Sequence, residues 1–291
     1  MIEPPSPRRR AAERTTVAHT GAVPVPSDPT AWKRRDAIHH DREAARYDRL
    51  IGREFAPYQQ LWTARPWAER LAADGARVVL DIGCGTGRTT LPVAAAGPAV
   101  VALDMSRGML KQAVAKANAA GIAGVWPLIA DAEHLPLADG AVDAVVCQGV
   151  LHHLPDVRVA LTEADRVLGR GGWLCLAEPD SESSRPYLVV RRAGRIAAAL
   201  LRRLRTAGAL HSPGTDDERP LDPDAVLMPL AALGYDVAPA YLVHVPVVYR
   251  FVPAAAARII ARVLNAGDRT RRRPADILVV VARRNRAAAG A

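Results

Sequence analysis

The stretch ARVVLDIGCGTGRTTLPVA, residues 76–94, places a carboxylate, Asp81, just before three alternating glycines, Gly83, Gly85 and Gly87. Glycines so spaced let a strand turn sharply into a helix while the backbone lies flush against a ligand, since a side chain there would hold the ligand away. A dinucleotide fingerprint needs a glycine three residues after Gly85. Arg88 stands there instead, which disfavours nicotinamide dinucleotides. A carboxylate beside the turn repels a pyrophosphate but suits ammonium and sulfonium charges. Two further carboxylates end the next apolar runs. Asp104 can accept hydrogen bonds from two ribose hydroxyls, and Asp131 is placed for an adenine amino group. S-adenosylmethionine carries all of these groups.

These residues need a frame. The apolar runs 76–82, 99–105, 125–131, 142–149 and 172–179 alternate with helical segments, a pattern that predicts a parallel sheet covered on both faces. Right-handed crossovers then bring the strand C-terminal ends to one edge, where open α/β sheets bind ligands. The runs 241–251 and 276–284 can complete the sheet. Residues 1–30, rich in Pro, Arg, Ser and Thr, are read as a disordered leader. Residues 31–75 are read as helices closing over a core at 76–180, residues 181–238 as an insertion, and residues 239–291 as the closing strands.

The segments VLDIGCGTGR, VVALDMSRGML, IADAEHLPLADGAVDAVVCQGVLHHLPD and ALTEADRVLGRGGWLCLAEPD resemble the successive motifs of class I S-adenosylmethionine-dependent methyltransferases. The resemblance is closest to the ubiquinone and menaquinone C-methyltransferase-like branch (methyltransferase type 11), over about residues 40–180. It implies an α/β, doubly wound, mostly parallel seven-stranded Rossmann-like sheet, with its last strand antiparallel, helices on both faces and a helical lid insertion. It further implies that Asp81, Gly83, Cys84, Gly85 and Gly87 hold the methionine part and Asp104 the ribose. Met105 would pack on adenine, Asp131 with the Ala132 backbone would read its edge, and Gln148 and Gly149 would lie beside the methyl donor. Tyr47 resembles a family aromatic that helps close this pocket, the alternative being helix packing. S-adenosylhomocysteine would be the product, and no metal is expected.

Methyl transfer from a sulfonium needs alignment and water exclusion first, and a general base only where the acceptor must lose a proton. The base candidates are His152 and Glu178, with His153 and Asp180 beside them; each has a structural alternative, as a loop-packing or turn-capping residue. His211, Tyr241 and His244 belong to a region without a recognisable motif and are candidates for substrate contact. The segment CQGV lacks the Asn/Asp-Pro-Pro-Tyr/Phe run of the resembling DNA adenine and glutamine N-methyltransferases, which counts against an exocyclic amino substrate. The insertion occupies the family's usual place for a substrate lid. The expected acceptor is therefore a small, largely apolar metabolite such as a quinone, polyketide or lipid intermediate, methylated on O, N or C.

An RNA methyltransferase is the alternative, because the chain carries a formal charge of +9. The excess is local: residues 31–180 hold 17 basic and 18 acidic groups, whereas residues 181–291 hold 18 and 9. Only Lys33, Lys111 and Lys116 are lysines, which fits a GC-rich coding bias as well as it fits an anionic partner. Residues 185–207 read as a basic amphipathic helix, either a surface helix, a lid or a peripheral membrane contact. Cys84, Cys147 and Cys175 are too scattered for a disulfide framework or a zinc knuckle. With no apolar run of about 18 residues and no secretory signal, the protein is expected to be soluble and cytoplasmic.

Overall fold

The computed structural model describes residues 28–179, 221–242, 252–266, 269 and 277–284. Seven strands form one sheet: β1 (Val78–Ile82), β2 (Ala99–Asp104), β3 (Val125–Ile129), β4 (Val142–Gln148), β5 (Leu168–Pro179), β6 (Tyr235–Leu242) and β7 (Ile277–Arg284). Their order is β3-β2-β1-β4-β5-β7-β6, with the first five strands parallel and β7 antiparallel to both of its neighbours. The expected sheet is thus present, its last strand antiparallel. The chain winds outward from β1 in one direction and, after returning to β4, in the other. Open α/β sheets bind ligands at such a switch point, here the carboxyl ends of β1 and β4.

Side-chain alternation along the strands builds a core on each face. Leu80 and Ile82 of β1 join Val145, Cys147, Leu174 and Leu176 beneath α6 (Val157–Val167) and α7 (Asp224–Ala232). Val79 points the other way, to Val100, Ala144, Val146 and Cys175 beneath α3 (Ala64–Ala73) and α4 (Thr90–Ala95). The three cysteines are free and buried, as expected of small apolar residues. Asp81 shares the Val79 face, so its carboxylate is buried against α4.

Helix starts follow capping chemistry. Asp28 accepts a hydrogen bond from Ala31 N and is followed by Pro29, which begins α1 (Pro29–Glu43). Ser106 caps α5 (Arg107–Ala119) through Met109 N, and Asp156 caps α6 through Arg158 N. Pro127 is tolerated in β3 because that strand is an edge. The remaining helices are α2 (Tyr47–Trp62) and α8 (Ala254–Leu264), which pack together through Leu61, Ala257 and Ala261.

Of the run read at 241–251, Tyr241 and Leu242 belong to β6, which begins earlier, at Tyr235, and residues 243–251 lie outside the described residues. Residues 224–232 and 235–242, in and beside the segment read as a lid, form α7 and β6. The basic stretch 185–207 and residues 1–27 lie outside the described residues; of the leader read at 1–30, Asp28 caps α1 and Pro29 and Thr30 belong to it. Among the described residues, no helix is long and apolar enough to cross a membrane.

Candidate functional site

The three glycines after β1 do different work. Gly83 (φ +63°) lies against the loop after β4, and a Cβ there would stand 2.2 Å from Val150 Cγ2. Gly87 (φ +85°) lies under α5, where a Cβ would come within 3.2 Å of Ala113. Gly85 (φ +52°) has nothing within 4 Å of its Cβ position, so its bare backbone faces open space at the strand edge. The Cys84 side chain turns inward to Ala102 and Leu110, burial pushes its thiol pKa well up, and its N–H donates to Leu103 O at 2.8 Å. Only the backbone of Cys84 is available to a ligand.

Three carboxylates stand at consecutive strand ends, as the spacing predicts. Asp81 is 1% exposed, and its Oδ2 accepts a hydrogen bond from Thr90 Oγ1 at 2.5 Å. Burial pushes its pKa up to about 7. Asp104 accepts from Ser106 N at 2.7 Å and Gly85 N at 2.9 Å, so it shapes the glycine turn directly. Burial lifts its pKa to about 6. Each Asp104 oxygen keeps a second acceptor direction for a ligand hydroxyl. Asp131 is different: burial pushes its pKa up, but hydrogen bonds from Lys33 Nζ (2.6 Å) and Glu133 N (2.9 Å) hold the carboxyl below its ordinary range. Met105 is partly exposed next to Asp104, and Ala132 is buried beside Asp131.

Helices α1 and α2 close over this edge through one contact at each strand end. Asp48 accepts from Thr86 Oγ1 (2.6 Å) at the glycine turn and pairs with Lys116 (2.7 Å). Asp41 accepts from Ser106 Oγ and Gly108 N, both at 2.6 Å, after β2. Lys33 binds Asp131 and also Glu133 after β3. After β4, Trp32 Nε1 donates to His153 O (3.0 Å) and Asp36 faces His153. Tyr47 is half-buried at the start of α2, its ring centroid 6.1 Å from that of His40. Sequence reasoning missed Lys33, Asp36, Asp41 and Asp48. Their only trace was a run of charged residues on either side of Tyr47.

At the β4 end, Glu178 is 1% exposed and receives Val150 N (2.9 Å) and Leu151 N (3.0 Å), while its second oxygen lies 2.8 Å from His152 Nδ1. Glu178 therefore orients the 3₁₀ turn Leu151–His153 and the His152 ring. The His152 Cε1 atom lies 3.9 Å from the Cβ position of Gly149, which turns at φ +69°. The Gln148 side chain accepts from Thr89 Oγ1 (3.0 Å) and Thr63 Oγ1 (3.3 Å), which fixes it toward α3 and α4. Tyr241 is buried in the core. Asp180, His211 and His244 lie outside the described residues.

Residues 80–176 match the methyltransferase domain family. Demethylmenaquinone methyltransferase of Thermobifida fusca is 34% identical over 142 residues, covering 49% of this chain and 60% of the relative. That of Clavibacter sepedonicus is 35% identical over 152 residues, covering 52% and 60%. The matched region thus spans about three-fifths of these curated relatives. Among solved structures, magnesium protoporphyrin IX methyltransferase of Synechocystis with bound SAH superposes at a TM-score of 0.56. It is 18% identical, with 87% of this chain and 100% of that chain covered, a likeness of fold.

Proposed function

We propose that the chain, whose residues 80–176 match the methyltransferase domain family and which is similar over half its length to demethylmenaquinone methyltransferases, transfers a methyl group from S-adenosylmethionine to a small, largely apolar acceptor. The observation that carries this reading is the row of Asp81, Asp104 and Asp131 around a glycine turn whose Gly85 leaves open space. The ligand's groups fit these residues in order. Asp81, with the backbone of Gly83 to Gly87, receives the ammonium end, Asp104 the ribose hydroxyls, and Asp131 with Ala132 the adenine edge.

Bound there, S-adenosylmethionine supplies an activated methyl carbon. This chain's residues then align the acceptor and exclude water. Helices α1 and α2 cover the edge through the four contacts described above. Where the acceptor must lose a proton, His152 is the proposed base: with Nδ1–H donated to Glu178, its Nε2 keeps the lone pair, and the adjacent Cε1 stands 3.9 Å from the Cβ position of Gly149. Glu178 acts through His152 and through the backbone that it anchors.

The demethylmenaquinone methyltransferases among the relatives favour a quinone-like acceptor. Incubation with methyl-labelled donor and a panel of quinols, phenolic polyketides and bulk RNA tests the reading. Label should pass to a quinol or phenol. Label on RNA alone would overturn it.

A further inference from the structure

Helix α1 and the turn after β4 bring Asp36, His40 and His153 together, with one ligand atom from each within 4.8 Å of the others. Asp36 and His40 are one helical turn apart, a spacing that puts two ligands on the same face. His153 completes the cluster from an element more than a hundred residues away, held by the hydrogen bond from Trp32 to its carbonyl. From these three residues we infer a site for one divalent transition cation of the zinc class, which pins α1 to the end of β4.

Asp36 and its two imidazoles stand further apart than the carboxylate–imidazole pair beside them. His152 Nδ1 and Glu178 lie 2.8 Å apart, as charge-assisted hydrogen bonds do. One residue on, His153 Nδ1 stands 3.3 Å from Asp36 Oδ1, and His40 Nε2 stands 3.6 Å from the same oxygen. Ligands about 2.0–2.1 Å from a tetrahedral cation are separated from one another by about 3.3–3.4 Å. The two distances from Asp36 are therefore close to the spacing of ligand atoms around a cation, and the two imidazole nitrogens lie within 4.8 Å of each other. The cluster's composition, two imidazoles and a carboxylate, is one that zinc-class ions take, and three protein ligands leave a fourth position for water. The side chains are 13–21% exposed, so an ion can enter. Lys33, one turn before, is neutralised by Asp131 and Glu133 and opposes the cation little. The expectation of a metal-free protein drawn from the sequence rested on cysteine spacing and on family resemblance, neither of which reports a site split between α1 and β4.

The test uses the full, tag-free chain stripped with chelator. Zn²⁺ should bind at one equivalent per chain and raise the melting temperature, and Co²⁺ should give the intense visible bands of a four-coordinate ion. His40→Ala should weaken Zn²⁺ binding about 100-fold and abolish the thermal shift while melting normally without metal; Asp36→Asn, which keeps side-chain size, should do the same. His39→Ala and His134→Ala should leave binding unchanged. Equal Zn²⁺ affinity in the native chain and both ligand variants would overturn the inference, as would equal weakening by His134→Ala.

Discussion

Lys33 on the first helix places its ammonium 2.6 Å from Asp131 at the end of the third strand and also binds Glu133, positions separated by about a hundred residues of chain. This contact fastens the N-terminal helix over the adenine end of the proposed donor site.

Lys33→Met keeps the aliphatic stem but removes the cation shared by Asp131 and Glu133. The loss should be about 1.5–3 kcal/mol in urea unfolding at neutral pH, the range of hydrogen bonds to charged groups. The sign with pH follows from the shifts. Asp131 is held below its ordinary value, so its contribution is present above about pH 4 and fades as pH falls through the folded-state value. Lys33 is raised, so its contribution is present below about pH 10 and fades only above that. The difference between native and variant should therefore stay flat from pH 6 to 9 and shrink in acid. A pH-independent difference would assign the effect to packing.

Gly83→Ala and Gly85→Ala separate folding from binding. Both require a left-handed conformation, which costs about 1–2 kcal/mol for a side chain. Gly83→Ala adds a collision with Val150, so its melting temperature should fall much further. Gly85→Ala meets no protein atom, so it should fold yet lose donor affinity by tenfold or more, as read by titration calorimetry.

The glycine turn and its carboxylates were legible because residue type, spacing and strand position all agree locally. Five strands were legible for the same reason, whereas the antiparallel closing strand was expected only from the family resemblance. The clamp was not, because the contacts of Lys33, Asp36, Asp41 and Asp48 join distant positions and leave no period in the sequence. Glu178 illustrates the remaining gap. A carboxylate at a strand end was visible, but its burial against the Val150–His152 backbone depends on the path of the β4 loop. The start of β6 at Tyr235 was missed because the apolar run that follows drew attention to residue 241.

Donor affinity should rise with pH. Asp81 and Asp104 have pKa values raised to about 7 and about 6, and a cationic ligand binds the ionised forms. Between pH 7 and pH 6 the association constant should fall about tenfold, and more steeply below pH 6 where Asp104 protonates too, and Asp81→Asn should flatten the upper part of that slope while weakening binding. The same raised values make the ligand-free protein less stable as pH rises from about 4 to about 7, where both groups must ionise while buried.

His152→Gln should lower turnover with an acceptor that must lose a proton by about 10²–10⁴-fold while leaving donor affinity within a factor of two. Glu178→Gln should reduce both turnover and stability, because it disturbs the His152 tautomer and the loop backbone together. Unchanged turnover in His152→Gln, with a lowered melting temperature, would make the histidine a packing residue.

The most direct measurement is calorimetric titration of the purified chain at pH 7.5 with S-adenosylhomocysteine, repeated on Asp104→Asn. One-to-one binding in the micromolar range, weakened about 10- to 100-fold by the substitution, is the predicted result. Absence of heat together with an unmoved melting temperature at saturating ligand would contradict the assignment of this strand edge as the donor site.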